Sequence, residues 1–421
     1  MEQLSSELKH IIIVGAGFAG INTALVLAAQ FPALKKEGYD IILIDRHHHH
    51  LYTPALYEIA AIPAEYLNDQ SLVSSILIPL HNIIRGKPVC LITDELIRHD
   101  DQTRTITLRK NGILPYAYLV IALGTETNYF NIPGLQAHSV PLKTSDDAVL
   151  LRNTIESIFK KKSSLAIMVG GGGASGVEVI AELVNFVCLI KEKVMPDRGI
   201  CDVSFTLAEA SDDILPGFHP WIVARAHQRL QQLGVSIKTG VAIASRDPTT
   251  VSFADGTSHP CDILVWTGGV KGTAILANLN LPLSPKSTLI VDNTLRTDSE
   301  KNNGTIFAVG DSAWLLHPET QKPLPWNVQV AEREGRHAGH EILRAIQGRT
   351  ARQFQPRRRY PFILAVGKKY ALADLVYFRF GGLLGWCAKQ LVEMHYFLFL
   401  MPWPRGFALW WKNSKIYQSN D

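Results

Sequence analysis

Cysteine is scarce in this chain. Its 421 residues hold five, Cys90, Cys188, Cys201, Cys261 and Cys387, and no two stand at C-x-x-C spacing. The odd, scattered count argues against a disulfide framework and fits reduced thiols in a cytoplasmic setting. Long apolar runs are also missing. The longest, "FGGLLGWCA" and "MHYFLFLMPWP", are separated by Lys389 and Glu393, and neither reaches the roughly 18–20 residues that cross a bilayer. Charge of one sign is not in surplus: 42 Lys and Arg face 38 Asp and Glu, a net of +4. That balance is too even to argue for a nucleic-acid binder. The opening "MEQLSSELKH" is polar, with no apolar core ahead of the first strand, so no secretory signal is expected. There is no repeat of solenoid period and no long low-complexity segment. What remains is an ordinary folded composition, 47% hydrophobic and 19% charged, with length for two or three domains.

The stretch "HIIIVGAGFAGINTALVLAAQ" reads as an apolar strand, a glycine-rich turn and a helix. Gly15, Gly17 and Gly20 give G-x-G-x-x-G spacing. The first allows the tight turn, the second lets a pyrophosphate approach the backbone, and the third lets the helix pack on the strand. The helix start then offers free N–H groups to the phosphates. The next strand, "YDIILID", ends in Asp45, placed to accept hydrogen bonds from the ribose hydroxyls of an adenine dinucleotide.

Four histidines, His47 to His50, follow close behind that acid. Metal ligands ordinarily come at helical or hairpin spacing with fixed partners behind them. Neighbouring loop residues cannot easily all face one ion. The run is therefore expected to be a solvated loop, with at most one histidine near the cofactor, and no metal site is expected.

"LAIMVGGGGASGVEVIAELV" repeats the design with Gly171, Gly173 and Gly176. The strand "VSFTLAEA" reaches Glu209 after the longer connection "CLIKEKVMPDRGICD". An acid there favours NADH over NADPH, because a 2′-phosphate at ~4 Å would meet repulsion on the order of 1–4 kcal/mol. Two such sites in one chain suit a flavoenzyme, one dinucleotide resident and the other visiting.

Further segments carry a resemblance. "YLVIALGTETNYFNIPG" resembles the A-T-G crossover of two-dinucleotide flavoproteins, with Leu123 in place of Thr, and "TIFAVGDSAW" resembles their late flavin motif. "DRHHHHLYTPALYEIA", "GGGASGVEVIAEL", "AEASDDILPGF", "ILVWTGGV" and "NVQVAEREG" then resemble, in order, segments of the type II NADH:quinone oxidoreductases. The resemblance covers roughly residues 9–345. It implies FAD at Gly15, Gly17, Gly20, Asp45, Arg46, Ala122, Gly124, Gly310, Asp311 and Val328. It implies NADH at Gly171, Gly173, Gly176, Glu209, Gly268 and Gly269. Quinone would meet Pro54, Tyr57, Gln329 and Arg333, and Glu178 and Gln329 would be the catalytic pair, Glu178 positioning the nicotinamide or handling a proton. In the family's Ala-Gln-x-x-x-Gln helix, Gln329 is retained, Val328 replaces Ala and Arg333 replaces the second Gln. The arginine bears on the polar contacts to quinone and on quinone preference. Disulfide reductases of this fold need cysteine pairs that the chain lacks.

The tail after Arg359 changes character. Leu383, Cys387, Leu391, Met394 and Leu398 fall on one helical stripe, while Lys389 and Glu393 point away from it. Trp386, Trp403, Trp410 and Trp411 stand among Lys and Arg, the composition of an interfacial segment. The alternative is that the stripe is core or a homodimer contact.

The expected fold is therefore α/β, with two Rossmann-like domains and an amphipathic tail that faces a membrane. Residues 1–145 and 286–345 would form the FAD domain, 146–285 the NADH domain and 346–421 the membrane-facing region. The expected activity passes electrons from NADH to a membrane quinone without proton pumping, on the cytoplasmic face of the cell membrane, in a peripheral protein. Two other readings stay open at this point: an NADH-dependent reductase of a soluble redox protein, and a nucleotide-sensing flavoprotein that acts through a partner.

Overall fold

The computed structural model describes residues 8–66, 68–162, 164–194 and 202–418. Cys201 and the stretch 195–201 of the connection before Glu209 lie outside the described residues. The chain divides into two compact units. The first comprises Met1–His50, Ile78–Glu126 and Val270–Arg358, and the second Leu51–Leu77, Thr127–Gly269 and Arg359–Asp421.

The first unit is built on a parallel five-stranded sheet, in the order Ile306–Ala308, Tyr118–Ile121, Lys9–Val14, Tyr39–Asp45, Cys90–Thr93. Ile11, Ile12, Ile13, Leu43 and Val120 are fully buried. Such unbroken apolar strands mark a parallel sheet covered on both faces. The helix Phe18–Ala29 packs on the helix Val328–Ile346 through small residues. A Cβ on Gly335 would stand 2.1 Å from the Ala19 carbonyl oxygen. At that close approach the Thr23 hydroxyl donates to the Gly335 carbonyl at 2.9 Å.

The second unit repeats the plan. Its parallel sheet runs Val140–Pro141, Ile263–Trp266, Ser164–Gly170, Asp202–Ala208, Val235–Lys238. The helix Ala174–Leu189 follows the glycine turn. Against it and the helix Ser145–Phe159 packs the short helix Leu56–Ile59, far away in sequence. The tail adds an antiparallel sheet of Phe362–Ala365, Ala371–Asp374 and Arg379–Gly382, then the helices Leu383–Leu400 and Trp403–Tyr417. No helix among the described residues is long and apolar enough to cross a membrane.

Candidate functional site

In the first unit the glycine turn has the geometry of a cradle. Gly15 has φ +104°, and a Cβ there would stand 2.2 Å from the Ala122 carbonyl oxygen. A Cβ on Gly20 would stand 1.8 Å from the Gly15 carbonyl oxygen, whereas one on Gly17 would meet nothing within 4 Å. The turn is thus packed on its protein side and open where a phosphate would approach. Asp45 binds the turn from the next strand: it accepts the Ala16 N–H at 2.7 Å and the His47 N–H at 2.8 Å. Arg46 is exposed beside it. The late segment joins the crossover segment through Ser312, whose hydroxyl oxygen accepts the Gly124 N–H at 2.7 Å. The Thr125 hydroxyl donates to Asp311 at 3.4 Å. Val328 and Gln329 open the long helix, whose start is capped by Asn327 accepting the Val330 N–H at 2.9 Å.

The histidine run departs from the expected solvated loop. His47 and His48 are exposed, but a strand begins at His49 and His50 is buried. Strand alternation turns that one ring inward. Burial holds its pKa down to about 4, so the neutral ring donates from Nδ1 to the Ala16 carbonyl at 3.0 Å. Its edge packs on Phe18, with ring centroids 4.9 Å apart. His50 therefore fixes the glycine turn from behind. Among the described residues no group of three His, Cys, Asp or Glu could hold a metal ion.

The second unit mirrors the first. Gly171 has φ +110°, and a Cβ there would stand 2.6 Å from Gly268 Cα. A Cβ on Gly176 would stand 1.8 Å from the Gly171 carbonyl oxygen, and one on Gly173 would meet nothing within 4 Å. Glu209 accepts the Gly172 N–H at 2.6 Å and the Ser211 N–H at 2.8 Å, the same pair of bonds that Asp45 makes. Gly268 and Gly269 lie against aromatic rings: added Cβ atoms would meet Trp266 at 2.4 Å and Phe130 at 2.7 Å.

Also in the second unit lies a buried cluster of charges. Lys389 Nζ stands 2.8 Å from Glu58 Oε1 and 3.2 Å from Glu393 Oε1. The ammonium lies 5.6 Å from the Tyr57 ring centroid and 5.8 Å from that of Tyr417. Glu178 accepts the Ala365 N–H at 3.3 Å. Burial pushes Glu178 up to about 8, against the pull of that N–H and of Lys389, and the carboxylates of Glu58 and Glu393 add to the rise. Burial also raises Glu393. Burial opposes the charge on Lys389, yet Glu393 and Glu58 hold it well above its ordinary value. Glu58 and Glu393 pair with the one ammonium and Glu178 lies in its field, so ionisation of all three carboxyls would leave surplus negative charge in a buried space. Burial thus favours the neutral acid at Glu178 and at Glu393. Tyr57, expected near the quinone, is buried, and among the described residues its hydroxyl has no hydrogen-bond partner.

This cluster shows how the tail helix is oriented. Lys389 and Glu393 do point away from the apolar stripe, but toward the protein interior. Leu383 and Leu391 are each 59% exposed and Cys387 is exposed, while Met394 and Leu398 are half-buried. The side that packs inward carries Gln390, Glu393, Tyr396 and Phe397.

Arg333 belongs to the first unit with Gln329. Its guanidinium donates to the Gln355 carbonyl at 2.8 Å, which ties the helix to the following extended segment. Sequence reasoning missed Glu58, Lys389, Glu393 and Glu334 as site residues. The signal for the tail pair was present: an acid and a base at i, i+4 inside an otherwise apolar helix.

The family model described as pyridine nucleotide-disulphide oxidoreductase matches residues 9–335. Type II NADH:quinone oxidoreductases of Staphylococcus epidermidis and Staphylococcus aureus are each 25% identical over 363 residues, covering 84% of this chain and 86% of theirs. Among solved structures, NDH2 from Plasmodium falciparum in complex with NADH is similar at a TM-score of 0.80 and 20% identity, covering 97% of this chain and 98% of that one. The sulfide:quinone oxidoreductase of Aquifex aeolicus is similar at 0.75 and 19%, covering 93% and 91%. The family match takes in both glycine turns, and the chain belongs to the pyridine nucleotide-disulphide oxidoreductase family.

Proposed function

We propose that the protein is an FAD-dependent oxidoreductase that carries electrons from NADH to a membrane quinone without pumping protons. The observation that carries this reading is the repeated cradle, two glycine turns each closed by a carboxylate from the next strand. In this reading residues 1–145 and 286–345 carry the flavin nucleotide, 146–285 the nicotinamide nucleotide, and 346–421 the membrane face. The donor set fits FAD: an open turn at Gly17, Asp45 at the ribose position, and Asp311 beyond Gly310. Bound FAD would supply hydride acceptance and two-electron delivery.

The chain's own residues have separable tasks. Gly171, Gly173 and Gly176 receive the NADH pyrophosphate, and Glu209 its ribose. Gln329 donates its amide to a quinone carbonyl as negative charge develops there. The overall reaction, NADH + H⁺ + quinone → NAD⁺ + quinol, draws one proton from outside the hydride. Glu178, held near neutrality by burial, is the candidate for delivering it. Pro54 and Tyr57 shape the approach of the quinone.

The membrane side is supported by the exposed apolar residues of the tail. Tyr377 is 86% exposed, and Phe378 and Trp403 are each 73% exposed. With Leu384 and Trp411 they suit a peripheral footing on a bilayer surface, here assigned to the cytoplasmic face. A homodimer through the same surface is the competing use.

Glu209→Ala should raise KM for NADH by about tenfold and narrow the preference over NADPH, since it removes ribose hydrogen bonds and the repulsion of a 2′-phosphate. Initial rates with both nucleotides and a short-chain quinone measure this. A wild-type preference for NADPH would contradict the assignment. The reductase-of-a-soluble-protein reading draws on likeness to a ferredoxin reductase from Rhodopseudomonas palustris, at a TM-score of 0.66 and 21% identity. It predicts saturable turnover with small acidic redox proteins and no response to lipid.

A further inference from the structure

Glu334 lies on the inner side of the helix Val328–Ile346 and is 2% exposed. Its Oε2 accepts the Gly310 backbone N–H at 2.7 Å. Gly310 opens the short helical turn Gly310–Ser312, which carries Asp311. That turn has little room to shift, because a Cβ on Gly310 would meet Ala19 Cβ at 3.0 Å. Ser312 and Asp311 are bonded on the other side to Gly124 and Thr125. Glu334 therefore sets the end of the turn nearest the long helix.

The charges around Glu334 do not neutralise it. Asp311, from the turn, is a carboxylate. On its own helix, Arg336 pairs with Glu332 at 3.5 Å and donates to Asn22 at 2.9 Å. Arg333 is bonded to the Gln355 carbonyl. The packed helix Phe18–Ala29 has the sequence FAGINTALVLAA and brings no titratable group. Burial, and secondly Asp311, push Glu334 up to about 8, against the Gly310 N–H, which favours the charged form.

We propose that Glu334 is a positioning residue that holds the Gly310–Asp311 turn as a neutral carboxylic acid, so that retention of the resident dinucleotide weakens when the group ionises. This rests on the reading that FAD is the dinucleotide of the first unit. As a neutral acid, Glu334 accepts the Gly310 N–H through its carbonyl oxygen and adds no charge. Once ionised, it sets a buried negative charge beside the half-buried Asp311, in the field of the cofactor's phosphates. An acid raised in the fold contributes fully below its unfolded value, and that contribution is lost as pH rises through the folded value.

The test has two arms. In the holoprotein, FAD release is followed by flavin fluorescence from about pH 6 to about pH 10, a range that brackets the ionisation. Wild type should release flavin about fivefold faster above the transition than below it, while Glu334→Gln, which cannot ionise, should stay flat. A flat wild-type profile, or a Gln variant that follows wild type, overturns the proposal. In the apoprotein, the melting temperature of Glu334→Gln minus that of wild type should grow with pH from about 5 to about 8 and then level off. A difference independent of pH overturns the neutral-acid state. A protein that binds no FAD defeats the cofactor reading instead, and the apoprotein arm still decides the state of Glu334. Should Glu334→Gln fail to fold, Asp311→Asn carries the second arm: removal of the neighbouring charge should shrink the pH-dependent part of the melting curve, and an unchanged curve overturns the proposal.

Discussion

Lys389→Met should destabilise the protein by about 3–5 kcal/mol at neutral pH, the range for breaking a buried ion pair from one side. The variant keeps most of the side-chain volume but removes the cation that Glu58 and Glu393 share. Among the described residues the Lys389 ammonium, 3.2 Å from Oε1, is the group that faces the Glu393 carboxyl, and no other hydrogen bond to its oxygens is found. Glu393 is already held above its ordinary value by burial, which means the fold favours its neutral form. Such an acid stabilises the fold below its unfolded value and loses that contribution as pH rises through the folded value. Without Lys389 the loss is larger, so the deficit of the variant should widen from about pH 5 to about pH 8. Urea unfolding at several pH values measures it. Adding Glu58→Gln and Glu393→Gln to the variant should recover most of the loss. A deficit below about 1 kcal/mol, constant with pH, would mean that the bridge behaves as a solvated one.

Replacing Tyr377, Phe378, Leu384, Trp403 and Trp411 together with Ser should release the protein from lipid vesicles. Each exposed side chain can bury on the order of 100 Å², about 2.5 kcal/mol at roughly 25 cal/mol per Å², so losing even three weakens partition by about 10⁵-fold. These residues point outward, so the melting temperature should move little. Vesicle flotation reads the outcome. Undiminished flotation, or conversion of a dimer to a monomer with no change in lipid binding, would show that the surface serves another contact. Deleting the tail is no substitute, because it would strip Lys389 from Glu58 and expose Glu178 along with it.

The two cradles were legible in the sequence because each is a local device. A turn of fixed glycine spacing, a strand before it and an acid after the next strand can be read within one βαβ unit, and Gly17 and Gly173 stand open as that spacing requires. The parallel sheets followed from the same apolar runs. The charge cluster was not legible, because its members meet only through packing. Glu58 reaches Lys389 across 331 residues of chain, and no periodicity announces that meeting. The tail stripe could be read from its spacing, but not that Lys389 and Glu393 face inward, since that depends on Glu58 and Glu178 arriving from distant segments. The sequence allowed for one histidine of the run near the cofactor but could not single out His50, because the strand that buries it begins at His49, inside the run. Arg333 could be flagged as a departure, whereas its partner, the Gln355 carbonyl, lies in an extended segment with no motif of its own.

Anaerobic stopped-flow spectroscopy of the purified holoprotein, one half-reaction at a time, tests the central claim most directly. Mixing with NADH should bleach the flavin absorbance, and mixing the reduced protein with a short-chain quinone should restore it at a rate that accounts for turnover. Gln329→Ala should slow the second step by about 10²-fold, the loss seen when a donor to a developing oxyanion is removed, and leave the first nearly unchanged. Flavin that NADH reduces but quinone does not reoxidise, or a Gln329→Ala variant slowed equally in both steps, would contradict the account.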